Sequence, residues 1–234
     1  MADMISLANT LSHVEALHWL IIEDQDQISD SLDIFLEDTN IEYTYLGHKT
    51  PDGYPKKGWY QRDMAVKYIY LNHKALTKGY ANTVIYFADD DNTYDIRLFN
   101  KYIRKVKKIG VWCCGFLAGH ATRAPIVNEK NKVVGFTNGR EMIHNFQIDM
   151  AMFAISIDAI MTHPHFEVGK TCDDNRNGPE KCMLRNFNFT MNDFEPFGKL
   201  SKKKGPMEVL VYHVRTKKPN VVGSAMIEDY DIEI

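Results

Sequence analysis

The chain has 234 residues, 44% of them apolar and 25% charged, with a formal net charge of -3 at pH 7. That balance fits a folded globular protein, as one large domain or two small ones sharing a core, and argues against disorder and a nucleic-acid footprint. No stretch approaches the roughly 18–20 apolar residues of a membrane span.

In chain order, LHWLII (Leu17 to Ile22) reads as a short buried strand ending in Glu23 and Asp24. Residues 29–38 read as a helix with Ser29 or Asp30 as its cap, and IEYTYL follows as a strand. The loop HKTPDGYPKKG is rich in turn residues, and Tyr60 to Leu76 carries an apolar stripe at helical spacing. Val84 to Ala88 reads as a strand that stops at three aspartates, Asp95 to Val106 as a helix, and IGVWCCGFL as another strand. Later strands are expected near VVGF, IDMAMFAI and MEVLVYHV, with a helix from Pro179 to Phe187. This alternation predicts an α/β fold with a mostly parallel sheet flanked by helices. No repeat or clear linker divides the chain.

The three adjacent carboxylates Asp89, Asp90 and Asp91 repel one another unless a cation or positive partners relieve them. A divalent ion with oxygen ligands would do so and would bridge to a diphosphate. The position, just past a strand, is where open α/β sheets bind ligands. An acidic turn capping the next helix, or a metal-dependent phosphohydrolase, fits the same residues.

The four cysteines, Cys113, Cys114, Cys172 and Cys182, have no zinc-ligand spacing. A Cys172–Cys182 disulfide is open if the compartment is oxidising, and Cys113 and Cys114 read as small residues on a buried strand. The N-terminus MADMISLANT lacks the basic and apolar regions of a signal peptide, and Asn188-Phe-Thr190 is a single sequon. The lysines at Lys101 to Lys108 and Lys202 to Lys204 read as solvated faces.

The string YFADDDNTY, together with LANTL, LHWLIIEDQD, QRDMAVKYI, VVGF, IDMAMFA and VYHVRTKKP, resembles the β-1,3-glucuronosyltransferases in order and spacing, from Leu7 to about Pro219. The resemblance implies a Rossmann-like nucleotide-diphospho-sugar transferase (GT-A) fold, with a donor half over residues 1–91 and an acceptor half over 92–234 packed as one catalytic unit. The implied activity is inverting transfer of glucuronic acid from UDP-glucuronic acid to a galactose-terminated glycan of a glycosaminoglycan linker or glycoprotein, with Mn²⁺ as cofactor.

By position, Asp91 would hold Mn²⁺, Asp89 and Asp90 would bind ribose and donor sugar, and Asp24 would read the uracil. Arg62, in QRDMAV, would supply a guanidinium fork to an oxyanion. His213 and Arg215 alternate in VYHVRT and would grip the diphosphate. Glu180, in GPEKCML, matches the family's catalytic base; Asp149, in IDMAMFA, matches a sugar contact. Each has a plain structural alternative: a strand end for Asp24, a surface charge for Arg62, a polar pair for His213 and Arg215, a first-turn acid for Glu180 and a hydrogen-bond anchor for Asp149.

Several positions depart from the family pattern. A strand with a Pro-Thr-Tyr block, whose Tyr stacks on uracil, precedes the matching region in the family and is not in this sequence, nor are the stem and membrane anchor. Without that strand the nucleotide-binding sheet would have a gap, so the expectation is either an incomplete sequence or a weakened donor pocket. A second family arginine upstream of Arg62 falls in a deletion, with Lys56 or Lys57 as a point-charge substitute. In TRAP, Arg123 stands where the family acceptor loop has a Glu, and His144 replaces the basic residue five before Asp149. These changes leave a non-catalytic binding relative as the alternative to an enzyme. The resemblance further implies a homodimer and a Golgi-lumenal, single-pass type II protein whose anchor lies outside this sequence.

Overall fold

The computed structural model describes residues 1–54, 58–117, 119–138, 141–143, 148–163, 179–198 and 208–214. Helix α1 (Ala2–Leu11) buries Leu7, Ala8 and Leu11 and leads into strand β1 (Trp19–Glu23). Helix α2 (Asp30–Glu37) is preceded by Ser29 at its N-cap, strand β2 (Tyr43–Gly47) follows, and α3 (Trp59–Thr77) is the longest helix described. β1, α2, β2 and α3 fall where the sequence pattern puts them, whereas α1 was not expected from it. β1 and β2 are parallel in register, Trp19 opposite Tyr43 and Glu23 opposite Gly47, and α3 packs on β1.

Beyond α3 the strands are short. They are β3 (Val84–Ile85), β4 (Thr93–Tyr94), β5 (Ile109–Val111), β6 (Cys114–Gly115), β7 (Thr122–Arg123), β8 (Pro125–Val127), β9 (Val133–Asn138), β10 (Glu141–Ile143), β11 (Phe153–Ser156), β12 (Phe194–Pro196) and β13 (Val211–Tyr212). The expected strand through Ala88 pairs only at Val84 and Ile85. The expected helix from Asp95 to Val106 is present as an unbroken helical stretch over 96–105, widened to a π-helix at Leu98–Tyr102 and tightened to a 3₁₀ turn at Ile103–Lys105. Helices α4 (Ile157–Thr162) and α5 (Pro179–Asn186) complete the described elements.

The expectation of one mostly parallel, Rossmann-like sheet of the nucleotide-diphospho-sugar transferase type is corrected. The α/β fold has four separate small sheets, ordered β1-β2, β10-β9-β8, β12-β5-β11-β3 and β4-β13-β6-β7. Only the pairs β1–β2, β5–β12 and β6–β13 are parallel; the other six described pairings are antiparallel. The physical reason is visible around β11. The turns after β3 do return the chain in the same direction at β5, but β11 inserts between the two and runs opposite to both. A second surprise is the run IGVWCCGFL, which contributes β5 to one sheet and β6 to another, with Trp112 and Cys113 as the crossing.

The core gathers where these sheets meet. Leu98, Ile109, Phe136, Phe153, Ile155, Met183 and Leu184 have no solvent exposure. Each such side chain contributes about 1.5–3 kcal/mol relative to leaving it in water. Met183 and Leu184 anchor α5 in this core and so fix the position of its first turn. Among the described residues no helix is long and apolar enough to cross a membrane.

Candidate active site

Three distant stretches bring Asp89, Asp149 and His213 together, with one ligand-type atom of each within 4.8 Å of the others. Asp89 heads the turn after β3, whose carbonyl oxygen accepts the Tyr94 hydroxyl at 2.7 Å. Asp149 precedes the short turn Met150–Met152 and caps it, accepting the Ala151 N–H at 3.0 Å. That turn is pinned from behind, because the Ala151 carbonyl also accepts the Trp112 indole N–H at 2.8 Å and the Tyr86 hydroxyl at 3.1 Å. His213 leaves β13 with its N–H on the Gly115 carbonyl at 2.9 Å. Its Nδ1 is buried and has no hydrogen-bond partner among the described residues.

Arg62 approaches from the first turn of α3. Its Nη2 donates to Asp89 Oδ1 at 2.6 Å and its Nη1 to the Gly58 carbonyl at 3.1 Å. Gly58 has a φ of +71°, and a Cβ there would lie 2.8 Å from Arg62 Nη1. Glycine is therefore required at this helix entrance both for the left-handed turn and for room beside the guanidinium.

The electrostatics follow from burial and crowding. Burial pushes the Asp89 carboxyl above its usual range; Arg62 partly offsets this and Asp149 adds to it. Asp91 is also raised, first by burial and then by Asp90 and Asp89. Glu180, in the first turn of α5, is pushed up to about 7, chiefly by burial and further by Asp149 and Asp89, with Arg62 opposing. These influences place its carboxyl within electrostatic reach of the cluster.

Of the expected site residues, Asp89, Asp149, Arg62, His213 and Glu180 thus converge. Asp91 lies next to the cluster without belonging to its three members, and Asp90 is exposed. Arg123, on β7, pairs across from Cys114, whose thiol feels Asp149 and Arg123 together. Asp24 stands apart, past the carboxyl end of β1, where it accepts the Thr50 N–H at 2.6 Å. His144 and Arg215 lie outside the described residues, as do Lys56 and Lys57. Cys182 is disulfide-bonded and Cys113 and Cys114 are buried free thiols; Cys172 lies outside the described residues.

One arrangement was not read from the sequence. Glu23 accepts the Ser29 N–H at 2.9 Å as well as the Ser29 and Tyr45 hydroxyls. Burial disfavours its charge, but these hydrogen bonds outweigh it and hold the carboxyl below its ordinary range. The only local signal was a strand ending in an acid six residues before a helix cap.

Two carboxylates and an imidazole in one cluster can hold a divalent cation, since Mn²⁺ and its neighbours take both oxygen and imidazole ligands. The fit is supported by the buried Nδ1 of His213, which lacks a partner among the described residues.

Residues 7–217 match the model of glycosyltransferase family 43. The chain is 33% identical over 247 residues to galactosylgalactosylxylosylprotein 3-beta-glucuronosyltransferase 1 of Rattus norvegicus, covering 100% of this chain and 70% of the rat protein. It is 32% identical over 230 residues to the Caenorhabditis elegans galactosylgalactosylxylosylprotein 3-beta-glucuronosyltransferase sqv-8, covering 94% and 61% respectively. Against the Homo sapiens galactosylgalactosylxylosylprotein 3-beta-glucuronosyltransferase 2 the identity is 33% over 224 residues, covering 94% and 66%. A match over nearly the whole chain, joined to a cluster of this composition, makes the chain a member of glycosyltransferase family 43.

Proposed function

We propose that the chain transfers glucuronic acid from UDP-glucuronic acid to the terminal galactose of a glycosaminoglycan linker or glycoprotein glycan, with inversion and with Glu180 as the base. The observation that carries this reading is the Glu180 carboxyl, pushed up to about 7 beside Asp149, Asp89 and Arg62. A base poised near neutral pH is half ionised there and still basic enough to take a proton from the acceptor hydroxyl. Inversion needs one such base and one displacement.

Asp89, Asp149 and His213 would hold Mn²⁺, with Asp91 beside them as the ligand that the family resemblance implies. When bound, the ion supplies positive charge against the diphosphate of the leaving UDP. Arg62 holds Asp89 in place and presents its guanidinium on the same side. Arg215 and His213 grip the diphosphate, Asp24 reads the uracil, and Asp89 and Asp90 bind ribose and donor sugar. Asp149, Arg123 and His144 face the acceptor.

On this reading residues 1–91 form the donor half and 92–234 the acceptor half of one catalytic unit. The meeting of Asp89 with Asp149, Glu180 and His213 favours it. We place the protein in the Golgi lumen as a homodimer, on family resemblance; the disulfide at Cys182 suits an oxidising compartment. Arg123 beside the cluster favours a second reading, a binding relative without turnover.

The deciding assay follows label from UDP-glucuronic acid to a galactose-terminated acceptor for the unaltered chain and Glu180→Gln, with UDP affinity measured in parallel. Transfer that Glu180→Gln lowers by about 10²-fold or more, with UDP affinity kept, supports the enzyme reading. Equal turnover removes Glu180 from the base role, and UDP binding without any transfer selects the second reading.

A further inference from the structure

Helix α3 opens with three polar residues, and each is committed differently. Arg62 pairs with Asp89 at 2.6 Å, and the Asp63 carboxylate takes the Tyr54 hydroxyl. Gln61 is only 7% exposed. Its Nε2 donates to the His48 carbonyl at 2.7 Å and to Thr50 Oγ1 at 3.1 Å, which uses both amide hydrogens and fixes which way the amide faces. Its Oε1 is buried and accepts nothing among the described residues. Native structures rarely leave a buried carbonyl oxygen without a donor.

The surroundings say what the donor is. Thr50, held by Gln61 through its hydroxyl, gives its backbone N–H to Asp24 Oδ1 at 2.6 Å. Asp24 and His48 stand immediately past the carboxyl ends of β1 and β2, the one parallel pair flanked here by α3. Carboxyl ends of parallel strands are where nucleotides bind in α/β folds. On its other side Gln61 adjoins Arg62 and, through it, Asp89. The Tyr60 ring beside it meets Tyr54 and His48 edge to face, at 5.2 and 6.5 Å between centroids. Gln61 is therefore tied through Thr50 to Asp24 on one hand and adjoins the Arg62–Asp89 pair on the other.

We infer that Gln61 is a specificity-determining residue for the nucleotide: Oε1 accepts a hydrogen bond from a ribose hydroxyl of uridine, while Nε2 anchors the loop that holds Asp24. The inference rests on the proposal that the donor is a UDP-sugar.

The test is calorimetric titration, with Mn²⁺, of UDP, 3-methyl-UDP, 2′-deoxy-UDP and 3′-deoxy-UDP into the unaltered chain and Gln61→Met. The unaltered chain is expected to bind one of the two deoxy analogues at least about tenfold more weakly than UDP, because the missing hydroxyl leaves Oε1 unpaired. In Gln61→Met that ratio should collapse towards one, while any deficit of 3-methyl-UDP, which reports on Asp24, should persist. Gln61→Glu, which keeps an acceptor oxygen, should retain the discrimination. Gln61→Met weakening all four ligands by one common factor would reduce Gln61 to a scaffold residue and overturn the inference. So would an unaltered chain that binds both deoxy analogues as tightly as UDP, a result that is readable even if Gln61→Met does not fold. An unaltered chain that binds no UDP overturns the UDP-sugar reading as well, and the two failures are thereby distinct.

Discussion

Arg62 and Asp89 are joined at 2.6 Å across the first turn of α3 and the turn after β3, both side chains less than one-third exposed. Removing the guanidinium leaves a half-buried carboxylate beside Asp149 with its main counter-charge gone. Arg62→Ala should cost about 1–3 kcal/mol of stability, and urea denaturation at pH 7 reads this directly. Arg62→Lys keeps the charge but not the fork that also reaches the Gly58 carbonyl, so it should recover only part of the loss. An Arg62→Ala chain as stable as the unaltered one would mean the pair contributes nothing.

Glu180 supplies a prediction with a definite sign. Its folded-state carboxyl is pushed up to about 7 from the 4.5 of a free glutamate, so between those values the native chain holds a proton that the unfolded chain has lost. Stability contributed by this group therefore falls as pH rises from about 4.5 and levels off above about 7. Glu180→Gln should be more stable than the unaltered chain at pH 8, by up to about 3 kcal/mol, with the difference vanishing near pH 4. Melting curves across that range would show the opposite trend if the carboxyl were stabilised as an anion.

The same titration should appear in turnover. If Glu180 acts as the base, kcat/KM rises with pH through about 7 and flattens above it. Saturating Mn²⁺ should move the limb lower, since a cation near the cluster favours the ionised carboxylate. A profile flat from pH 5 to 8 would exclude Glu180 from that step.

Mn²⁺ should stabilise the fold. At 100 times its dissociation constant the gain is about 2.7 kcal/mol, a rise of about 5–10 °C in the melting midpoint for a chain of this size. Chelation should reverse the rise, and Asp149→Asn or His213→Ala should abolish it. An unchanged midpoint in the unaltered chain would remove the cluster from consideration as a cation site.

Gly115 links the site to the sheet beneath it. A Cβ at this position would sit 2.4 Å from Tyr212 Cδ1, so Gly115→Ala must displace the ring that precedes His213. The expected loss is about 1–3 kcal/mol, as for other overpacked sites, together with weaker Mn²⁺ stabilisation. Unchanged metal response in a destabilised Gly115→Ala chain would mean that the ring moves without carrying His213 along.

How much of this was legible depends on whether the signal is local. The Ser29 cap of α2 and the apolar faces of α2 and α3 are written within a few turns of chain, and both helices appear where periodicity places them. Strand direction is different. The run from Ile109 to Leu117 reports burial, but nothing in it says that Ile109–Val111 and Cys114–Gly115 join different sheets. Nor does any property of Phe153–Ser156 announce that it lies antiparallel between β3 and β5. At the site, Asp89 was visible as one of three crowded acids. Its meeting with Asp149 and His213 depends on long-range packing, which only likeness to a family suggested beforehand. The Gln61 carbonyl was invisible, because a buried amide and an exposed one share the same letter.

The thiols of Cys113 and Cys114 are pushed up to about 11 and about 12 by burial, with nearby Asp149 adding to the second. At pH 7 only about one Cys113 in 10⁴ is a thiolate, and about one Cys114 in 10⁵, while disulfide exchange proceeds through the thiolate. The chain can therefore carry a disulfide at Cys182 and two reduced, buried thiols without the three exchanging partners.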